Sequence, residues 1–101
     1  MQRRFADFGE FYDFYLQQHS TPMCRRLHFV GSLTAVVLIG CSVMFREWQW
    51  AVAAPVVGYA CAWIGHFVFE RNRPATFGHP LYSFAADWVM FYEILAGRVP
   101  W

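Results

Sequence analysis

The fold is decided by two apolar stretches that are separated by only two residues. The first reads LHFVGSLTAVVLIGCSVMF over positions 27–45, and the second reads WQWAVAAPVVGYACAWIGHFVF over positions 48–69. The first has nineteen residues without a charge, and the second has twenty-two, of which Gln49 and His66 are strongly polar. Each stretch is long enough for a helix to cross the hydrocarbon core of a bilayer. The short connection Arg46-Glu47 then predicts a tight antiparallel helical hairpin.

The composition of the 101-residue chain excludes several classes of protein. Hydrophobic residues make up 57% of the chain and charged residues only 15%, too few to solvate the surface of a small soluble monomer. Eight basic residues against seven acidic ones leave a net charge of +1, so we expect no binding to nucleic acid. Three cysteines without CxxC spacing disfavour a disulfide framework or a zinc knuckle. An integral membrane protein is the class that remains.

Shorter helices are expected on both sides of the hairpin. Aromatic residues at helical spacing near the N-terminus predict an amphipathic helix at the membrane surface. Thr21 as N-cap and Pro22 as first helical residue predict the start of the first span. A third helix is expected over the apolar run 81–96, which Asp87 and Glu93 interrupt. Because of these two carboxylates, we expect this helix to pack on the hairpin or lie in the interface rather than to span the bilayer by itself. Each carboxylate is expected to form a structural hydrogen bond or a salt bridge. The expected fold is one all-α membrane domain over 1–101, with an amphipathic helix over 5–19, spans over 22–45 and 48–70, and a third helix over 80–97.

Arginines are distributed unevenly around the hairpin, and their distribution predicts its orientation. One arginine, Arg46, lies at the tip, whereas six lie beside the open ends: Arg3, Arg4, Arg25, Arg26, Arg71 and Arg73. By the positive-inside rule both open ends are cytoplasmic and the tip faces outward. The expected location is therefore the inner (cytoplasmic) membrane.

The four histidines of the chain gather at the open end of the predicted hairpin. His28 lies eighteen residues before the first residue of the connection and His66 nineteen after its last, so the imidazoles are level to within about one residue rise of ~1.5 Å. His19 and His79 lie just outside the same membrane face. An imidazole inside an apolar run is costly unless it is paired or coordinated. We therefore predict metal binding by His19, His28 and His66, with His79 ranked lower; the alternative is that each ring is solvated or hydrogen-bonded to backbone.

Two side chains beside the histidines have candidate roles. Glu70 follows His66 by one helical turn, so it could ligate the metal, orient the ring, or pair with Arg73 at the end of the span. Cys24 lies in the first turn of a helix, between His19 and His28. We expect it to be a small packing residue rather than a reactive thiol.

Four sequence blocks make the chain similar to a known family. They are FYL over 14–16, HSTP over 19–22, RRLHFVG over 25–31 and GHFVFERNRPA over 65–75. With these blocks the chain resembles the Mpo-like family, small membrane proteins whose characterised fungal member is an iron-dependent 2-hydroxy fatty acid dioxygenase. By this resemblance the positions that match the family pattern are His19, His28, His66, Glu70, Pro74 and Ala75. Cys24 stands where the eukaryotic branch tends to have Asn, and the chain is shorter than that branch.

The resemblance implies a reaction as well as a fold. A 2-hydroxy fatty acid and dioxygen would give the fatty acid one carbon shorter, carbon dioxide and water. Three histidines would hold Fe(II) and leave coordination positions for the substrate and dioxygen, with Glu70 as a catalytic residue that tunes or orients the site. The expected partners are the lipid bilayer, a long-chain 2-hydroxy fatty acid and dioxygen, with self-association left open. Weaker candidates for binding the substrate carboxylate are four arginines at the same membrane face: Arg25, Arg26, Arg71 and Arg73. The alternative is that these arginines are solvated or bind lipid phosphate.

Two other functions stay open at this point. A bis-histidine haem carrier would also place level histidines on neighbouring helices. In a non-catalytic small membrane protein, the histidines would be replaceable without loss beyond stability.

Overall fold

All regular elements in the computed structural model, which describes residues 4–101, are helices. They are α1 (Phe8–Gln17), α2 (Pro22–Phe45), α3 (Gln49–Ile64) with a π-helical turn as its continuation (Gly65–Glu70), a 3-10 turn (Ala75–Phe77) and α4 (Pro80–Leu95). The all-α prediction is confirmed. Arg3, which contributed to the predicted orientation, lies outside the described residues.

The predicted hairpin is formed by α2 and α3. The helix α2 begins as expected, because the Thr21 hydroxyl accepts a hydrogen bond from the Cys24 amide and Pro22 occupies the first helical position. Between the helices, Arg46 adopts a left-handed conformation with φ of 54°, and its amide donates to the Ser42 carbonyl. A three-residue connection over 46–48 thereby reverses the chain.

A glycine lets the two hairpin helices approach closely. A Cβ atom on Gly31 would lie 2.9 Å from the backbone oxygen of Gly58 and 3.0 Å from the Cβ of Cys61. Small residues at such a crossing let helices in a bilayer pack through close van der Waals contact. Gly31 therefore sets the distance between α2 and α3 just one turn below the level of His28.

The outer faces of the hairpin are apolar and exposed. Within the described range, two helical segments are long and apolar enough to cross a membrane, Pro22–Phe45 and Gln49–Glu70. The core helix of a soluble protein would be mostly buried, but most of each segment is not covered by the rest of the protein. Val43 and Met44, for example, are each 76% exposed. This exposure is what a helix in contact with lipid requires.

The N-terminal helix is shorter than predicted and packs differently. It begins at Phe8 because the Asp7 carboxylate caps it, accepting a hydrogen bond of 2.9 Å from the Glu10 amide. It ends at Gln17 and not at residue 19. The aromatic face expected to lie on the membrane is instead buried in a protein core formed with α4 and the C-terminal segment, whose members are Phe11, Tyr15, Ala86, Met90 and Val99.

The second span changes its helical geometry before it ends. Residues Gly65–Glu70 form a π-helical turn, where a regular helix to residue 70 was expected. Arg71, with φ of 59°, ends the turn and its amide donates to the His66 carbonyl, as does the Asn72 amide. A Cβ on Gly65 would lie 3.2 Å from the Cα of Cys24, so glycine allows this turn to lie close against α2. Single π-helical turns of this kind occur frequently at functional sites.

Candidate metal centre

Three of the predicted ligands meet in one buried cluster. His19 comes from the turn after α1, His28 from α2 and His66 from the π-helical turn. Their ring centroids lie 4.3, 4.5 and 4.8 Å apart, and each pair of rings is close to perpendicular. Their side chains are at most 5% exposed. The structure therefore brings together the three histidines that the sequence singled out.

Backbone carbonyls fix the tautomers of two of these imidazoles. The Nδ1 atom of His19 lies 2.6 Å from the Tyr15 carbonyl oxygen, and the Nδ1 atom of His28 lies 2.8 Å from the Cys24 carbonyl oxygen. A carbonyl oxygen only accepts hydrogen bonds, so Nδ1 must carry the proton in both rings. The lone pair of each neutral ring is therefore on Nε2.

A side-chain amide fixes the third imidazole. The Nδ1 atom of His66 lies 2.7 Å from Oδ1 of Asn72. The Nδ2 atom of Asn72 donates to the Gln18 backbone oxygen at 3.1 Å and to Gln18 Oε1 at 3.0 Å. Because those acceptors require the NH₂ group, the orientation of the Asn72 amide is determined, and its oxygen must accept the proton of His66 Nδ1. All three rings thus keep a free lone pair on Nε2.

The spacing of these lone pairs matches a metal site. The Nε2 atoms of His19 and His28 are 3.0 Å apart. With both Nδ1 atoms protonated, neither Nε2 can donate, so the two lone pairs repel unless a cation lies between them. Two nitrogens that are each about 2.1 Å from one ion, at a right angle, lie about 3.0 Å apart. The cluster fits a metal ion, and an all-imidazole donor set suits iron, zinc, copper or nickel.

The electrostatic environment keeps His19 in the form that a ligand needs. Burial holds the pKa of His19 well below its usual value, and the neighbouring His28 and His66 lower it further. The ring is therefore neutral at physiological pH, and its lone pair is available to a metal.

Haem does not fit this arrangement. A bis-histidine haem would place its porphyrin between the two ligating rings. Here Nε2 of His19 is 3.0 Å from Nε2 of His28, and the His66 ring packs within 4.8 Å of both rings. No space for a macrocycle lies between them, and the geometry favours a single non-haem ion.

Cys24 belongs to the same buried group. One ligand atom from each of His19, Cys24, His28 and His66 lies within 4.8 Å of the others. The Cys24 sulfur lies 3.8 Å from Nδ1 of His28. The other ring nitrogen of His28, Nε2, is the one that faces His19. This position agrees with the packing role expected for Cys24, next to the donors but behind the His28 ring.

Glu70 holds the segment that carries His19. Its carboxylate accepts hydrogen bonds from the Ser20 hydroxyl at 2.6 Å and from the Thr21 amide at 2.9 Å. These contacts join the end of the π-helical turn to the connection between α1 and α2. Glu70 was also a candidate for orienting the His66 ring. That ring instead donates its hydrogen bond to Asn72, so the side-chain amide of Asn72 sets its orientation.

The arginine candidates and His79 are held by other contacts. Arg25 fixes the His19 turn, because its Nη1 donates to the carbonyls of His19 and Ser20 and its Nε to that of Pro100. Arg71 ends the π-helical turn. The remaining three pack on aromatic rings: Arg26 on Trp101 at 5.5 Å, Arg73 on Phe77 at 5.4 Å, and His79 on Phe5 and Phe11 at 5.0 and 5.5 Å.

A tyrosine on α1 and an aspartate on α4 support the cluster. The Tyr15 ring stacks on His19 at 4.0 Å, and its hydroxyl donates to Asp87 Oδ1 at 2.5 Å. Burial raises the pKa of Tyr15 well above its usual value, so the phenol stays protonated as a donor. Burial also raises the pKa of Asp87 to about 6, although the Tyr15 hydrogen bond acts in the opposite direction. The structural hydrogen bond expected of Asp87 is present.

An apolar groove leads away from the cluster between α2, α3 and α4. Its volume is about 210 Å³, and small residues such as Gly31, Ala35, Ala54 and Gly58 line it. The groove extends to Ile39, eleven residues along α2 from His28, or about 16 Å by helix rise. Its inner end is formed by His28 and Asp87.

Asn72 is a functional candidate that the sequence did not indicate. Asn72 lies six positions after His66, and on a regular α-helix this spacing would point the two side chains about 120° apart around the helix axis. The π-helical turn and the left-handed Arg71 bring Asn72 back to the ring. Its place inside the block GHFVFERNRPA is the one sequence signal that could have drawn attention to it.

We predict that Asn72→Ala weakens Fe(II) binding about 10- to 100-fold, because it removes the acceptor that orients His66. Equilibrium titration of the metal-free protein with Fe(II) under anaerobic conditions measures this loss. Asn72→Asp keeps an acceptor for His66 and should retain more affinity than Asn72→Ala. Unchanged affinity in Asn72→Ala would contradict the role assigned to this amide.

Comparison with known proteins agrees with the resemblance found in the sequence. The family model described as 2-hydroxy-palmitic acid dioxygenase Mpo1-like matches residues 5–99. No curated protein and no solved structure gave a match. The family match covers nearly the whole chain, including every residue of the histidine cluster. The chain therefore belongs to the 2-hydroxy-palmitic acid dioxygenase Mpo1-like family.

Proposed function

We propose that this protein is an Fe(II)-dependent dioxygenase that shortens a long-chain 2-hydroxy fatty acid by one carbon. The observation that carries the proposal is the buried cluster of His19, His28 and His66, in which every Nδ1 is held by an oxygen and every Nε2 lone pair stays free. The family match supplies the class of reaction and of substrate. A dioxygenase needs such a neutral, protein-bound ligand set, with coordination positions left for its substrates.

The proposed reaction balances without any further reductant. The bond between C1 and C2 of the substrate breaks, C1 leaves as carbon dioxide, and C2 becomes the carboxyl carbon of the shorter acid. The substrate gives up four electrons, and dioxygen takes them to yield one oxygen atom in the new acid and one in water. Iron, when bound, supplies Lewis acidity and the redox chemistry that activates dioxygen.

The protein's own residues orient the ligands and the substrate. The carbonyls of Tyr15 and Cys24 and the amide of Asn72 hold the three rings, so little reorganisation is needed when metal binds. Glu70 and Arg25 act as positioning residues, because both fix the turn that carries His19.

The apolar groove is the proposed site of the acyl chain. Its lining of small and aromatic side chains favours a hydrocarbon, and its inner end at His28 and Asp87 is polar. A fatty acid bound along α2 would therefore present its carboxyl end to the histidine cluster. Arg26, Arg71 and Arg73 stay candidates for attracting the substrate carboxylate or lipid phosphate at the membrane face.

We expect Fe(II)-reconstituted protein to consume dioxygen when 2-hydroxypalmitate is added, and to release carbon dioxide and the acid that is one carbon shorter. The unsubstituted acid palmitate should give no turnover, because it lacks the 2-hydroxyl oxygen that, together with a carboxylate oxygen, would chelate a bound iron ion. An oxygen electrode and mass spectrometry of the acid product measure both. Equal dioxygen uptake with the two acids would contradict the mechanism and favour a non-catalytic membrane protein.

We propose that the histidine cluster lies on the cytoplasmic side of the membrane and the hairpin tip on the outer side. The uneven distribution of arginines supports this orientation. In intact bacterial cells, a membrane-impermeant thiol reagent should label a single cysteine introduced at position 47 but not at position 20 or 74. A cysteine-free background removes the contribution of Cys24, Cys41 and Cys61. Labelling at position 74 with protection at 47 would reverse the orientation.

A further inference from the structure

A buried serine beside the histidine cluster has an unused hydroxyl. Ser83 on α4 is 1% exposed, and its Oγ has no hydrogen-bond partner in the part of the chain that the structure describes. Leaving a buried hydroxyl without a partner costs free energy. The group is therefore available to a ligand that brings its own polar atom.

The surroundings of Ser83 are those of a small polar site. It lines a cavity of about 10 Å³ together with His28, His66 and the Tyr15–Asp87 pair. Ser83 and Asp87 are four residues apart on α4 and so share a face. The cavity has the volume of about one water-sized group, and it offers a hydroxyl donor beside a carboxylate acceptor.

This polar cavity adjoins the apolar groove. The two spaces share His28, Tyr59, Ala62 and Asp87 as lining residues. A molecule with an acyl chain in the groove would therefore bring the first polar atoms of its head to Asp87 and Ser83. The space at this junction suits one hydroxyl group.

We propose that Ser83 and Asp87 bind the 2-hydroxyl group of the acyl substrate and thereby select hydroxylated acids over ordinary fatty acids. This inference rests on the proposed function and assigns its specificity to named residues. Asp87, held in place by the Tyr15 hydroxyl, accepts the proton of the 2-hydroxyl, and the Ser83 hydroxyl donates to its oxygen. An ordinary fatty acid leaves both groups without these partners, which is the strongest basis for discrimination between two ligands of similar shape.

The test is equilibrium binding of radiolabelled 2-hydroxypalmitate and palmitate to metal-free protein in detergent. Without metal, any preference for the hydroxylated acid comes from the protein alone. We expect wild-type protein to prefer 2-hydroxypalmitate by about tenfold, the effect of a hydrogen bond to a charged group. Ser83→Ala and Asp87→Asn should each reduce the preference to about twofold or less.

The control is Ser42→Ala, the same substitution at a serine on α2 that lines neither the groove nor the polar cavity. It should keep the wild-type preference. Because the Ser83 hydroxyl has no partner in the protein, Ser83→Ala should leave the unfolding temperature unchanged or raise it, whereas a structural hydroxyl would lower it. An unchanged preference in Ser83→Ala, or no preference in wild-type protein, would overturn the inference.

The binding assay also separates this inference from the proposed reaction. Selective binding that depends on Ser83, found in a protein that shows no iron-dependent turnover, would leave the subsite standing and remove the enzymatic function. Turnover restricted to 2-hydroxy acids, with a preference unaffected by Ser83→Ala, would leave the function standing and remove the subsite.

Discussion

Replacing His28 with alanine is expected to lower the affinity for Fe(II) by more than about 100-fold and to abolish dioxygen consumption. The substitution removes one of three nitrogen donors from a site whose other two donors cannot move together, since each is fixed by its own Nδ1 hydrogen bond. Metal analysis of protein reconstituted with Fe(II) and then desalted measures the loss. Equivalent results are expected for His19→Ala and His66→Ala.

The matched control for these variants is His79→Ala. His79 lies outside the buried cluster and packs on Phe5 and Phe11, so its replacement should leave the iron content close to that of wild-type protein. Recovery of each variant in the membrane fraction, with an unchanged helical circular dichroism spectrum, separates loss of metal from loss of fold. Iron lost in His79→Ala but kept in His19→Ala would show that the ligand set is wrong.

The second large effect is expected from Gly31→Ala, which should destabilise the protein by about 1–3 kcal/mol although it adds a single methyl group. The new Cβ would lie 2.9 Å from a backbone oxygen of α3, and backbone cannot rotate away as a flexible side chain can. The two helices must separate, and their separation also pulls His28 from His66. Denaturant unfolding of the detergent-solubilised protein, together with Fe(II) titration, measures both consequences.

Gly40→Ala is the control for this prediction. Gly40 lies on the same helix, and a Cβ there meets nothing within 4 Å. This substitution should be neutral or stabilising by up to about 1 kcal/mol, because alanine has the higher helix propensity. Equal stability of the two variants would mean that Gly31 does not set the distance between the hairpin helices.

The sequence determined the hairpin and the level of its histidines. Two apolar stretches with a two-residue connection allow little besides antiparallel packing, and counting outward from the connection places His28 and His66 at one height. Their ring centroids are indeed 4.8 Å apart. The start of α2 was likewise readable, since Thr21 and Pro22 act through local hydrogen bonding and backbone geometry.

The contacts that orient the histidines were decided only by the tertiary structure. Asn72 reaches His66 because a π-helical turn and a left-handed residue redirect the chain, and neither feature has a period that hydrophobic patterning reveals. Likewise, the aromatic periodicity of α1 predicts one buried face but not what covers it. A bilayer and α4 offer the same apolar surroundings to Phe11, so the pattern could not distinguish them.

The pairing of Tyr15 with Asp87 shows the same division between local pattern and long-range contact. Seventy-two residues separate the two side chains, and only the packing of α1 on α4 brings them together. Local sequence encodes which segments are helical and which faces are apolar, because those depend on residues a few positions apart. Which polar groups meet inside the protein depends on how the helices dock, and docking is settled by the fit of whole surfaces.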